Sequence, residues 1–255
     1  MTVHKKVTIK TSEQIFKIKE AGKYSDELMQ DLQNMCKIWT NLLELENYAQ
    51  DFMDKNNVKW AFKWYQWYPA NLCLSLNDCV VHWIPYDRKL KDNDVLKIDL
   101  WVDFKWWISD SAITVVLSKN KKYHELVSAT KLWLDEWLKF IWPDMDIYDF
   151  GECVYSHLIW AWFQVIKNLV WHWVWNSVHE WPFIYNYPNP DWRNVVLERW
   201  MVIALEPITA LKSQKVFEKP WNHWNLYTQR WDVWAQREYT VVITDNGCEV
   251  IAWLK

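Results

Sequence analysis

Glycine is nearly missing from this chain. Its 255 residues include 3 glycines, Gly22, Gly151 and Gly247, where ordinary usage of about 7% would supply roughly 18. Other things are absent too. The five cysteines (Cys36, Cys73, Cys79, Cys153 and Cys248) are odd in number and form no CxxC pair, which argues against a disulfide framework or a thiolate zinc cluster. There is no excess of one charge: 29 basic against 32 acidic residues give a net charge of -3, so no field draws nucleic acid or an anionic membrane. Long apolar runs are lacking as well. The longest, such as that around Leu158 to Phe163, are far short of the roughly 20 residues a membrane span needs. Met1 to His4 leads into polar sequence without a signal-peptide core. These absences leave a cytoplasmic protein with reduced cysteines as the expectation.

What is present in excess is tryptophan, 24 residues of it. Glycine and tryptophan together come close to an ordinary combined number, which suggests that one stands in for the other.

The chain reads as α+β, a single domain over 1–255 with no linker or low-complexity stretch. Thr11-Ser12-Glu13-Gln14 forms a capping box, and Ile15, Ile18, Ala21, Leu28 and Leu32 mark an amphipathic helix behind it. Thr40 is the expected cap of a second helix, with Leu42, Leu45, Ala49 and Phe52 buried. Segment 60–84 is irregular and aromatic. Residues 95–100 and 108–116 read as a strand hairpin, and 123–141 and 145–160 as two helices. Strands are expected over 163–166, 201–206, 239–244 and 249–254, with Asp245-Asn246-Gly247 turning between the last two. Helix pairs and strand groups thus alternate twice, which suits an internal duplication.

Five residues stand on or beside strands where charge or imidazole is out of place: Asp99, Asp110, His172, Glu206 and Glu238. Singly, each is equally well read as a strand-end charge in solvent. Buried together, they would need cations or protons, and carboxylates with one imidazole suit two divalent ions sharing bridging ligands.

Five ordered motifs carry a resemblance. Val81-His82-Trp83-Ile84-Pro85 followed by Asp87-Arg88-Lys89-Leu90-Lys91-Asp92 is one, and Asp99 with Asp110 eleven residues on is another. Trp171-His172-Trp173 with His179-Glu180, Trp200-Met201-Val202-Ile203-Ala204-Leu205-Glu206-Pro207, and Gln236-Arg237-Glu238-Tyr239-Thr240 complete the set. In order and spacing, from about residue 8 to the C-terminus, they resemble the type I methionine aminopeptidases. That resemblance implies a pita-bread fold, an antiparallel sheet with outer helices and a pseudo-twofold duplication. It implies removal of the N-terminal methionine from nascent proteins by attack of a metal-bridging hydroxide on the first peptide bond. Asp110, His172, Glu206 and Glu238 would bind one metal and Asp99, Asp110 and Glu238 the other. The ions would be Co, Mn, Fe or Zn. Glu206 would take the proton, His179 would stabilise the oxyanion, and His82 would contact the leaving-side amide. Tyr65, Tyr68, Cys73 and Trp224 align with the methionine pocket, and Asn77-Asp78 with a loop that helps bind a monovalent cation. The partners implied are nascent polypeptide N-termini beside the ribosome, met by a monomer with no nucleic-acid sequence recognition and no membrane. At this length the chain lacks the type II insertion and an N-terminal zinc-binding extension, as in bacterial-type enzymes. The alternatives are an Xaa-Pro aminopeptidase and a non-catalytic partner-binding module of the same fold.

The resemblance also locates the tryptophans. Trp64, Trp67, Trp83, Trp106, Trp142, Trp162, Trp171, Trp173, Trp175 and Trp200 fall at family glycine positions, whereas Trp107 and Trp224 fit aromatic ones. Some bacteria read UGA as glycine. Such a gene read with a code in which UGA means tryptophan would yield this pattern. Tyr239, Val178 and Ser111 depart from the usual His, Phe and Thr.

Overall fold

The computed structural model describes residues 9–63, 65–159, 163–173, 180–219 and 222–252. Four helices are present among them: α1 (Ser12–Met35), α2 (Leu42–Asn56), α3 (Lys121–Trp137) and α4 (Ile147–Ile159). The capping box opens α1 as expected, with Gln14 N–H donating to Thr11 Oγ1 at 3.2 Å and Thr11 N–H to Gln14 Oε1 at 2.7 Å. The second cap is Asn41, not Thr40. Its side-chain oxygen accepts from Leu43 N–H at 3.0 Å, and Glu44 reaches back to Asn41 N–H at 3.3 Å. Thr40 instead donates to Met35 O at 2.8 Å, closing the turn between the helices. Asn41 wins because Glu44 sits three residues on and completes the reciprocal box.

Strands run β1 (Lys59–Trp60), β2 (Leu72–Leu76), β3 (Val95–Phe104), β4 (Trp107–Val116), β5 (Gln164–Val165), β6 (Val170–Trp173) and β7 (Glu180–Tyr185). They continue as β8 (Val202–Leu205), β9 (Ile208–Ala210), β10 (Val216–Lys219), β11 (Asn222–Thr228), β12 (Trp234–Gln236), β13 (Tyr239–Thr244) and β14 (Gly247–Ala252). Every pairing is antiparallel. One sheet centres on β3, with β4 along one edge and β1 and β2 sharing the other. A second has the order β14-β13-β8-β6-β7, and smaller groups are β12-β9-β5 and β10-β11. Two helices followed by strands occur twice, the pita-bread arrangement. A bridge between Ala112 and Glu238 joins the two main sheets. Segment 60–84 is less irregular than its aromatics suggest, because all five residues of β2 are buried beside β3.

The main core packs Leu28, Leu32, Leu45 and Met53 from the helices against Ile98 and Leu100 of β3, Ile203 of β8 and Val241 of β13. Helix α1 lies so close to β14 that a Cβ on Gly22 would stand 1.8 Å from Ile251 O, which only glycine allows. Among the described residues no helix is long and apolar enough to cross a membrane.

The tryptophans divide by backbone. Trp39, Trp67, Trp106, Trp200 and Trp231 have φ of 80, 70, 74, 67 and 56°, the left-handed region that favours glycine. All but Trp200 are largely exposed. Trp137 and Trp234 are fully buried, inside α3 and β12.

Candidate metal centre

Alternation along β3 sets up the site. Ile98, Leu100 and Val102 enter the main core, while Lys97, Asp99 and Trp101 face the other way. In the β3–β4 register Asp110 lies opposite Trp101 and Ala112 opposite Asp99, so the two aspartates are diagonal neighbours on one face. Asp110 is fixed by β13: its N–H donates to Thr240 Oγ1 at 2.9 Å, and that hydroxyl donates to Asp110 O at 2.7 Å. Glu238 N–H donates to Ala112 O at 2.9 Å, which brings the third carboxylate beside them. His172 pairs with Ala204, two residues before Glu206, so the neighbouring strands β6 and β8 deliver both.

The five side chains converge. Exposure is 7% for Asp99, 1% for Asp110, 3% for His172, 9% for Glu206 and 2% for Glu238, which excludes the reading as solvated strand-end charges. All five line one cavity of about 160 Å³, together with His82 and Trp101. Asp110, His172 and Glu238 each offer a ligand atom within 4.8 Å of the others. His172 Nε2 stands 3.6 Å from both Asp110 Oδ2 and Glu206 Oε1. That is long for a hydrogen bond and near the spacing of about 3–3.4 Å between two atoms each about 2.1 Å from one ion. Gln236 Nε2 donates to Glu238 Oε2 at 3.2 Å and to Glu206 Oε2 at 3.4 Å. Asp99 Oδ1 and Asp110 Oδ1 are buried without a hydrogen-bond partner.

Burial raises the pKa of Asp99 to about 8. Burial, then the neighbouring carboxylates, pushes Asp110, Glu206 and Glu238 well above the usual range. Four acids buried in one pocket cannot all ionise without compensating cations. Oxygen and imidazole ligands without thiolate suit hard-to-borderline divalent ions, and the orphaned carboxylate oxygens are where such ions would bind. The residues fit a metal.

The expected pocket residues also come together. Tyr68 and Cys73 are buried in an apolar cluster with Phe62 and Trp101, against which Tyr65 and Trp224 pack. Tyr68 meets Trp224 edge-on at 5.3 Å. His82 N–H donates to Cys73 Sγ at 3.0 Å, and its φ of 63° turns the chain at the cavity wall. His179 lies outside the described residues. Sequence reading passed over Trp101, whose indole donates to the Asp110 carboxylate and stacks on Phe62 at 3.9 Å. It also missed Gln236 and Thr240. Period-two spacing from Asp99 and Glu238 was the signal for all three.

The chain matches metallopeptidase family M24 over residues 17–245. It is 33% identical to a methionine aminopeptidase of Mycoplasma capricolum over 247 residues, 96% of this chain and 98% of that one. It is 28% identical to the methionine aminopeptidase of Escherichia coli, with 98% and 95% covered. The crystal structure of the methionine aminopeptidase from Thermotoga maritima superposes with a TM-score of 0.92 at 29% identity, covering 98% and 100%. A prolidase from Pyrococcus furiosus shares the fold, with a TM-score of 0.73 at 19% identity over 97% of this chain and 66% of its own.

Proposed function

The chain belongs to metallopeptidase family M24, and on that footing we propose that it is a methionine aminopeptidase whose centre is the five-residue cluster. It removes the N-terminal methionine of polypeptides by metal-dependent hydrolysis. The observation that carries the site assignment is the convergence of four buried carboxylates and His172 on one cavity, two of their oxygens without a partner. Asp110, His172, Glu206 and Glu238 would hold one divalent ion, and Asp99, Asp110 and Glu238 a second. Such ions, when bound, supply Lewis acidity toward a peptide carbonyl and a nucleophile at neutral pH.

The chain's own groups do the rest. Glu206 is the proton holder: its carboxylate lines the cavity, and Gln236 steadies one oxygen. His82, on the cavity wall, orients the amide on the leaving side. The apolar cluster of Tyr65, Tyr68, Cys73 and Trp224 receives the methionine side chain, and His179 steadies the developing oxyanion. The whole of 1–255 acts as one catalytic domain. It works as a monomer in the cytoplasm, on chains leaving the ribosome.

Release of methionine from Met-Ala-Ser tests this, with chelator-stripped protein to which Co²⁺, Mn²⁺, Fe²⁺ or Zn²⁺ is returned. Metal-dependent release is expected, with Asp110→Asn lowering it by about 100-fold or more. Absence of release from any Met-initiated peptide with any of these ions defeats the reading.

A further inference from the structure

Two residues before Asp99, on the same face of β3, a whole lysine is buried. Lys97 is 1% exposed; burial pulls its pKa down to about 7, and its ammonium form is held only where fixed dipoles and rings replace its water. Its Nζ donates to Asn77 O at 2.9 Å and lies over the Trp234 ring, 4.4 Å from the centroid, a cation–π contact. Trp234 in turn donates its indole N–H to Cys79 O at 2.5 Å. Asp78, between the two accepting carbonyls, has a buried Oδ2 without a partner. The turn is fastened on its other sides too. Asn77, at φ 54°, receives Val95 N–H on its side chain at 2.9 Å, and Val80 N–H donates to Leu226 O at 2.6 Å.

This knot joins two parts of the site. The turn 77–80 leads directly to His82, and Trp234 opens the strand that carries Gln236 and leads to Glu238. A carbonyl oxygen and an aromatic face surround the Lys97 Nζ, contacts that stabilise a cation, and here the charge is covalently attached. We propose that Lys97 is a built-in monovalent cation that locks the His82 loop to the Trp234 strand, so that this enzyme needs no Na⁺ or K⁺ there. Lys97 is therefore a positioning residue, and the free cation implied by Asn77-Asp78 is replaced by its ammonium. The inference rests on the aminopeptidase reading of the adjoining cavity.

The test uses metal-loaded enzyme and Met-Ala-Ser, with K⁺, Na⁺ or choline as the only monovalent cation at fixed ionic strength. The wild type is expected to show the same kcat in all three; its failure to release any methionine would instead count against the aminopeptidase reading. Lys97→Ala is expected to lose about 10-fold or more in kcat with KM little changed, since loss of alignment is felt in the transition state. K⁺, NH₄⁺ or methylammonium should restore much of that loss, and calorimetry should detect K⁺ binding to this variant and none to the wild type. Lys97→Met keeps the buried stem, covers the case in which the alanine variant does not fold, and should lose kcat without rescue. A wild type that requires K⁺ or Na⁺ overturns the proposal. So does a folded Lys97→Ala or Lys97→Met with full kcat, or a loss in Lys97→Ala that no monovalent cation relieves.

Discussion

An indole on left-handed backbone is costly, because the Cβ crowds its own carbonyl by about 1–2 kcal/mol per residue. The β3–β4 turn shows the case clearly: Lys105 and Trp106 have φ of 55 and 74°, the mirror-image two-residue turn that prefers glycine in second place. Trp106 is 69% exposed, so its ring gains little to offset the strain. Trp106→Gly is expected to raise the thermal midpoint by about 2–4 °C, the equivalent of roughly 1 kcal/mol in a chain of this size. Sequencing the gene gives a sharper check. UGA is expected at Trp39, Trp67, Trp106, Trp200 and Trp231, and UGG at the buried Trp234; UGG at Trp106 removes recoding as the explanation. Trp101 is a different matter, for it fills space beside Phe62 and Tyr65 that the methionine side chain is proposed to use. Trp101→Ala should lower KM for Met-Ala-Ser by about 10-fold, since burying a methionine is worth about 1.5–3 kcal/mol. An unchanged KM would place the methionine pocket elsewhere.

Polar clasps hold elements to one another, and Glu46 is the clearest. From α2 its carboxylate accepts Asn71 N–H at 2.7 Å, Asn71 Nδ2 at 2.8 Å and Leu72 N–H at 3.0 Å, pinning the start of β2. Glu46→Ala leaves two buried amides without acceptors, and urea unfolding should register a loss of about 2–4 kcal/mol. A loss under about 0.5 kcal/mol, the scale of a surface change, would mean the clasp is dispensable. This strand also marks where the sequence stops being readable. The helices, the β3–β4 hairpin and the five polar residues that converge on one cavity were legible because apolar periodicity is local, and because a charge inside an apolar run stands out. Strand β2 was hidden among aromatics, and the strands β6, β9, β10 and β12, of three or four residues each, are too short to show a period. Lys97, Trp101 and Gln236 were not legible as site residues. Period-two spacing places Lys97 and Trp101 on the face of Asp99 and Gln236 on that of Glu238, but what they touch depends on strand pairing and register, a long-range fact.

At the scale of the whole molecule the four carboxylates make stability depend on metal and pH together. Burial and mutual repulsion raise their pKa in the fold, Asp99 to about 8, against about 4 in the unfolded chain. The folded metal-free protein therefore binds more protons than the unfolded one. Its stability from this source is full below about pH 4 and is lost as pH rises through the folded values. Divalent ions reverse the sign, because they bind the ionised carboxylates and neutral His172 and displace the protons. Chelator-stripped protein should thus melt several degrees lower at about pH 8 than at about pH 5.5, at roughly 2–4 °C per kcal/mol. Added Mn²⁺ or Co²⁺ should raise the midpoint more at the higher pH, with proton release measurable in weakly buffered solution. Glu206→Gln should flatten the dependence by removing one of the four acids. A stripped protein whose midpoint rises over that interval would show that these carboxylates are already ionised and paired with something other than metal.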